Sequence, residues 1–195
     1  KPFAPDHWFQ PSNPLLAALA EGHTGVALFM VLSGFILTHI AQDRPLDIGR
    51  FFTSRLLRTY PLFLLLLGVA LAAHPEAFSL RAFVQTLLAL GNMPGALDIP
   101  PFTGLTWTIA VEWQFYLLFP VLLLALRHQG ARWAAGLIAI LILSRLAAVG
   151  FGGSARDLSY MSLLGRLDQF LLGMVAAQLV RPRSWTRVQG GAVAL

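Results

Sequence analysis

From Thr24 to Ala41 the chain runs 18 residues without a charge (TGVALFMVLSGFILTHIA). That suits an α-helix at the lower end of the length that crosses the hydrocarbon core of a bilayer. Apolar runs of similar or greater length, each with one or two charges, recur at Leu105–Leu126, Trp133–Phe151 and Leu158–Val180. Tyr60–Ala73 is short by itself. It reaches spanning length if the amphipathic stretch Phe51–Leu57 continues it backwards, with Pro61 then within the helix or at its start. Ala82–Leu90 has only nine residues before Gly91-Asn92-Met93-Pro94-Gly95 breaks it. Residues 1–22 read as a loop with a short helix near Leu15–Leu19. The last residues, Gly190–Leu195, open another apolar segment. The pattern predicts an all-α, polytopic transmembrane helix bundle of about five full spans, a shorter helix and a truncated last segment. With no initiator Met at Lys1-Pro2-Phe3, residues 1–195 are expected to be a single membrane domain, incomplete at both ends.

Composition supports the same class. Of the 195 residues 56% are hydrophobic and 12% charged. A soluble domain carries about 25% charged residues, so this chain has half the usual supply and could not cover a soluble core. Soluble enzymes and nucleic-acid binders are thereby excluded. The net charge of +5 fits loops on the cytoplasmic side of a membrane. No stretch interleaves basic and aromatic residues to track a nucleic-acid strand. The absence of cysteine removes disulfides, thiol catalysis and thiolate metal sites.

Loop charges then orient the bundle. If Ala82–Leu90 does not cross, nine arginines share one side: Arg44, Arg50, Arg55, Arg58, Arg127, Arg132, Arg181, Arg183 and Arg187. Arg81 and Arg156 face them from the other. If it does cross, the asymmetry vanishes. The positive-inside rule selects the first arrangement. Ala82–Leu90 is therefore expected to be re-entrant or interfacial, and Gln42–Thr59 and Arg181–Gln189 to be cytoplasmic.

Four segments carry a family resemblance. Gly25-Val26-Ala27-Leu28-Phe29-Met30-Val31-Leu32-Ser33-Gly34-Phe35 looks like "GVxLFFxLSGF", and Arg55-Leu56-Leu57-Arg58-Thr59-Tyr60-Pro61 like "RxxRxxP". Trp107-Thr108-Ile109-Ala110-Val111-Glu112-Trp113-Gln114-Phe115-Tyr116, continuing to Phe119-Pro120, is similar to "WSLxxExxFYxxFP". Arg166-Leu167-Asp168-Gln169-Phe170-Leu171-Leu172-Gly173 resembles "RxDxFxxG". In this order over residues 22–180, they resemble acyltransferase family 3, integral membrane O-acyltransferases. The resemblance implies transfer of an acyl group, often acetyl, from cytoplasmic acyl-CoA to a hydroxyl of a glycan; macrolides and other acceptors also occur. It implies a bacterial inner membrane and no cofactor beyond the acyl-CoA donor. The family's first span, with an Arg and a catalytic His about ten residues on, has no counterpart here. Neither His7 nor His23 stands in that context, so the general base is expected outside this chain.

The residues make a case of their own. Arg55 and Arg58 at i, i+3 share a helical face, so two guanidiniums can converge on one anion such as the phosphates of acyl-CoA. The bland alternative is a topology signal at lipid phosphates, the role assigned to Arg44 and Arg50. Glu112, a third of the way into its span, must face protein or water rather than lipid. It could take a proton or orient a hydroxyl, or it could neutralise an intramembrane arginine. Arg145, Arg166 and Asp168 are the other intramembrane charges. They are expected to pair with one another or with Glu112, or to line a cavity. Ser33-Gly34 and Gly25 offer close helix packing. His23 is read as an interfacial residue, with cavity lining as the alternative; Trp107, Trp113 and Tyr116 are read as packing or interface aromatics. His39, His74 and His128 lack metal-ligand spacing, and no metal is expected. Two rival readings are a transporter whose pathway is lined by Glu112, Arg145 and Asp168, and an inactive homologue.

Overall fold

The structure, a computed structural model, describes residues 22–100, 102–151 and 162–180; among them there are helices and no strand. The helices are α1 (Gly22–Ala41), α2 (Ile48–Ala73), α3 (Leu80–Leu87), α4 (Thr103–Gln129), α5 (Ala131–Gly150) and α6 (Leu163–Leu179). A short 3₁₀ turn, Pro75–Ala77, joins α2 to α3. Of the five predicted full spans, α2, α4 and α5 are long and apolar enough to cross a membrane, and α1 is a shorter apolar helix. As described, α6 has 17 residues and carries Arg166 and Asp168. The start of its predicted span at Leu158, Arg156, and the Arg181–Gln189 loop lie outside the described residues.

The backward extension of the second span is real. Asp47 caps α2 by accepting the Arg50 N–H at 3.0 Å, and the helix runs unbroken through Pro61 to Ala73. Pro61 removes one backbone hydrogen bond, a loss that membrane helices tolerate. Arg55 and Arg58 consequently lie within a continuous helix, about 10 and 15 Å from its first residue, rather than in a loop before it.

α4 is the most buried of the three candidate spans. Inside its span 56% of residues are buried, against 17% in α2 and 6% in α5, so α5 and most of α2 turn apolar surface outward. Phe115, Phe119, Leu123, Phe170, Leu171, Met30 and Met174 fill the centre, with Phe115 stacked on Phe170 at 3.9 Å between ring centres. α1 packs most extensively on α6, and two glycines permit it. A Cβ on Gly34 would run into the Phe170 carbonyl, and one on Gly173 into the Val31 carbonyl. Gly34 thus packs as expected, whereas Gly25 has nothing within 4 Å and takes no part.

Side chains at one end fix the directions of the helices. Arg127, near the end of α4, donates to the carbonyls of Ala41 and Arg44. Gln178, near the end of α6, donates to the Leu126 carbonyl at 3.3 Å. α1, α4 and α6 therefore run parallel, and α2 runs back against α4. Gly130, at φ +74°, turns the chain between α4 and α5. The residues between α2 and α4 accordingly begin and end at the opposite end of the bundle. α3, eight residues or about 12 Å long, does not cross. Arg44, Arg50, Arg127 and Arg132 gather at one end and Arg81 stands at the other, as the charge argument requires.

The segment around α3 is tied down as a cap. Tyr60 donates to the Leu87 carbonyl at 2.8 Å, and Gln85 to the carbonyls of Met93 and Pro94 at 3.3 and 3.1 Å. Gln114 of α4 donates to Asn92 at 2.9 Å. Phe63, Leu67, Ala82, Leu97, Ile99 and Phe102 form a small second core beneath it.

Candidate active site

Glu112 is buried in α4, with 8% of its surface exposed. Its carboxylate accepts a hydrogen bond from the hydroxyl of Tyr116, one turn further along the same helix. Residues at i, i+4 lie one above the other on a single face, and here that face meets α2. The Arg55 guanidinium lies 5.9 Å from the ring centres of both Tyr116 and Phe51. Glu112 interacts electrostatically with Arg58 and Arg55, and Arg55 also with the Tyr116 hydroxyl. The two arginines and the carboxylate, widely separated in sequence, thus converge across one helix interface.

The rotation of α2 that brings them together has an identifiable cause. Trp113, next to Glu112, donates its Nε1–H to Thr59 Oγ1 at 3.0 Å, and Thr59 in turn donates to the Arg55 carbonyl at 2.7 Å. The Trp113 ring meets Tyr60 edge-on at 5.2 Å, and Phe51 stacks on Phe119 at 5.4 Å. These contacts flank Arg55 and Arg58 on both sides along α2 and set the face that it turns to α4. Arg55 is half-buried, with a buried Nε that has no hydrogen-bond partner among the described residues, while Arg58 is exposed.

The other intramembrane charges form a separate cluster. Arg145 of α5 donates Nη2 to Asp168 Oδ2 at 2.6 Å, Nη1 to the Gly165 carbonyl and Nε to the Leu141 carbonyl, both at 3.1 Å. All three guanidinium nitrogens are engaged, so Arg145 fastens α5 to α6. Among the pairings open in the sequence, Arg145 with Asp168 forms. The Arg166 guanidinium is buried and stands 5.6 Å above the Trp107 ring. The side chain of His23 lies outside the described residues. Among the described residues no three His, Asp or Glu side chains come together as a metal site.

Two residues read as packing aromatics prove to be polar members of the site: Trp113 through Thr59 and Tyr116 through Glu112. The i, i+4 spacing of Glu112 and Tyr116 was the signal for the second; nothing in the sequence pointed to Thr59.

The comparisons with known proteins cover this whole arrangement. The acyltransferase-domain family (Acyl_transf_3) matches residues 2–195. The chain is 29% identical to the acyltransferase MdmB of Streptomyces mycarofaciens, over 90% of this chain and 51% of that protein. It is 26% identical to the O-acetyltransferase OatA of Staphylococcus aureus, over 84% of this chain and 31% of that one. It thus spans about half the length of the first relative and about a third of the second. No solved structure matches it. With the family match extending over every helix that builds the site, the chain belongs to the membrane acyltransferase family that its four motifs resemble.

Proposed function

We propose that this domain carries the acyl-donor site of a membrane-bound O-acyltransferase. It would move an acyl group, acetyl in the simplest case, from acyl-CoA to a hydroxyl of a glycan or another acceptor. The observation that carries the reading is the convergence of Arg55, Arg58 and Glu112 on facing sides of α2 and α4. Arg55 and Arg58 bind the phosphates of the donor, where planar guanidiniums match phosphate oxygens in pairs. Glu112 takes or relays the proton of the attacking hydroxyl. The acyl–sulfur bond breaks as the acyl–oxygen bond forms, and the hydroxyl proton ends on the released CoA thiol. MdmB and OatA bear the names acyltransferase and O-acetyltransferase, which supports this class of chemistry. In this reading the arginine-rich end, including Gln42–Thr59, faces the cytoplasm of a bacterial inner membrane and the acyl-CoA there. Against the transporter reading stand the pairing of Arg145 with Asp168 and the turn of Glu112 towards α2.

The test is the reaction itself. Inner-membrane vesicles holding the whole protein should convert acetyl-CoA labelled in its acetyl group to free CoA thiol and a labelled, base-labile ester. Ester formation no greater than in vesicles without the protein, across sugar and macrolide acceptors, would overturn the proposal.

A further inference from the structure

The structure assigns Tyr116 as the positioning residue of this site: its hydroxyl holds the Glu112 carboxylate while its ring lies against Arg55. The inference rests on the catalytic reading of Glu112 given above. Tyr116 is 2% exposed and boxed by rings on three sides. Phe51 meets it edge-on at 6.1 Å, Trp113 edge-on at 5.8 Å and Phe115 at a tilt at 6.2 Å. Because Phe51 comes from α2 and Trp113 is bonded to Thr59 of α2, both helices set the orientation of the phenol. A buried tyrosine hydroxyl needs a partner, and here that partner is Glu112.

Without that bond a glutamate side chain has several rotamers to choose from. With it, the carboxylate is held at one height on α4 and at a fixed separation from Arg55. Reacting groups lose rate steeply when displaced by about 1 Å, by roughly 10²-fold, so such a tether acts on turnover rather than on donor binding. Packing alone does not account for the hydroxyl. A phenylalanine would keep the same ring contacts and the same face towards Arg55, and would lack only the hydroxyl, with its bond to Glu112 and its electrostatic contact with Arg55.

Tyr116→Phe in the whole protein separates the possibilities. We expect kcat to fall about tenfold or more and KM for acetyl-CoA to stay within about threefold, with an unchanged yield of folded protein. Added to Glu112→Gln, the same change should cost less than about twofold, since the glutamine that Tyr116 then holds is no base and its placement no longer matters to the rate. A kcat within twofold of the parent, beside a slow Glu112→Gln, overturns this inference alone. So do losses that multiply in the double variant. A fully active Glu112→Gln overturns this inference and the catalytic reading together. Should Tyr116→Phe not be recovered folded, 3-fluorotyrosine at position 116 keeps ring and hydroxyl while changing the strength of the bond it donates. It should change kcat about threefold or more, and an unaltered kcat would count against the assignment.

Discussion

Glu112→Gln should insert, fold and bind acyl-CoA much as the parent does, yet transfer acyl groups on the order of 10²-fold more slowly or worse. Gln keeps the size of the side chain and still accepts the Tyr116 hydrogen bond, but it has neither charge nor basicity. The expectation depends on where the counter-charges lie. If Glu112 neutralised a buried arginine, its loss would strand that cation at about 3–5 kcal/mol, and folded protein would disappear first. Arg145, however, is satisfied by Asp168 and two carbonyls. The arginines that do face Glu112 are half-buried Arg55 and exposed Arg58, whose charges keep access to solvent or headgroups. Turnover measured per amount of detergent-extracted, monodisperse protein distinguishes the outcomes. Loss of folded protein ahead of activity would make Glu112 a structural neutraliser.

Gly173→Leu should abolish assembly of the bundle. At this position α6 touches the backbone of α1, and any Cβ meets the Val31 carbonyl and the Phe35 amide rather than a side chain that could move aside. Overpacking a well-filled core costs about 1–3 kcal/mol where neighbours can shift, and two abutting backbones cannot shift locally. A penalty of about 3 kcal/mol or more, with α1 and α6 forced apart, is therefore expected. Gly34→Leu should act in the same way through the Phe170 carbonyl. Gly25→Ala is the control. Nothing lies within 4 Å of its Cβ position, and alanine in place of a helical glycine should be neutral or stabilising by up to about 1 kcal/mol. Thermal unfolding in detergent compares the three, and a Gly173→Leu variant as stable as Gly25→Ala would contradict the packing described.

These particulars show which parts of the molecule its sequence discloses. Helices and their approximate limits follow from apolar runs, because burial and membrane thickness act on every residue of a span. The short segment before α4 was recognisable as non-crossing from the distribution of arginines, and the contact of Arg127 with Ala41 and Arg44 bears this out. The start of α2 was open, since Phe51–Leu57 is amphipathic and Pro61 reads equally well as a boundary or as an interruption. Pairing between helices was much less legible. Glu112 had to find polar company, but Arg145 and Arg166 were as plausible from spacing as Arg55 and Arg58. The choice depends on the rotation of α2 about its axis, which Trp113 and Thr59 fix across 54 positions of sequence. The glycines illustrate the same limit. Gly25 and Gly34 look alike in the chain, and only the approach of Phe170 gives one of them a role.

The central claim, that the Arg55–Arg58 face of α2 opposite Glu112 receives the donor, is tested most directly by equilibrium binding of acetyl-CoA to the whole protein in detergent or nanodiscs. The double variant Arg55→Ala/Arg58→Ala should bind about tenfold or more weakly, since two charge-assisted contacts to phosphate are lost. Lysine at both positions should restore affinity only in part, because it supplies charge without the planar fork. Arg44→Ala, in the loop ahead of α2, should bind as the parent does. Unchanged affinity in a properly inserted double variant would contradict the account.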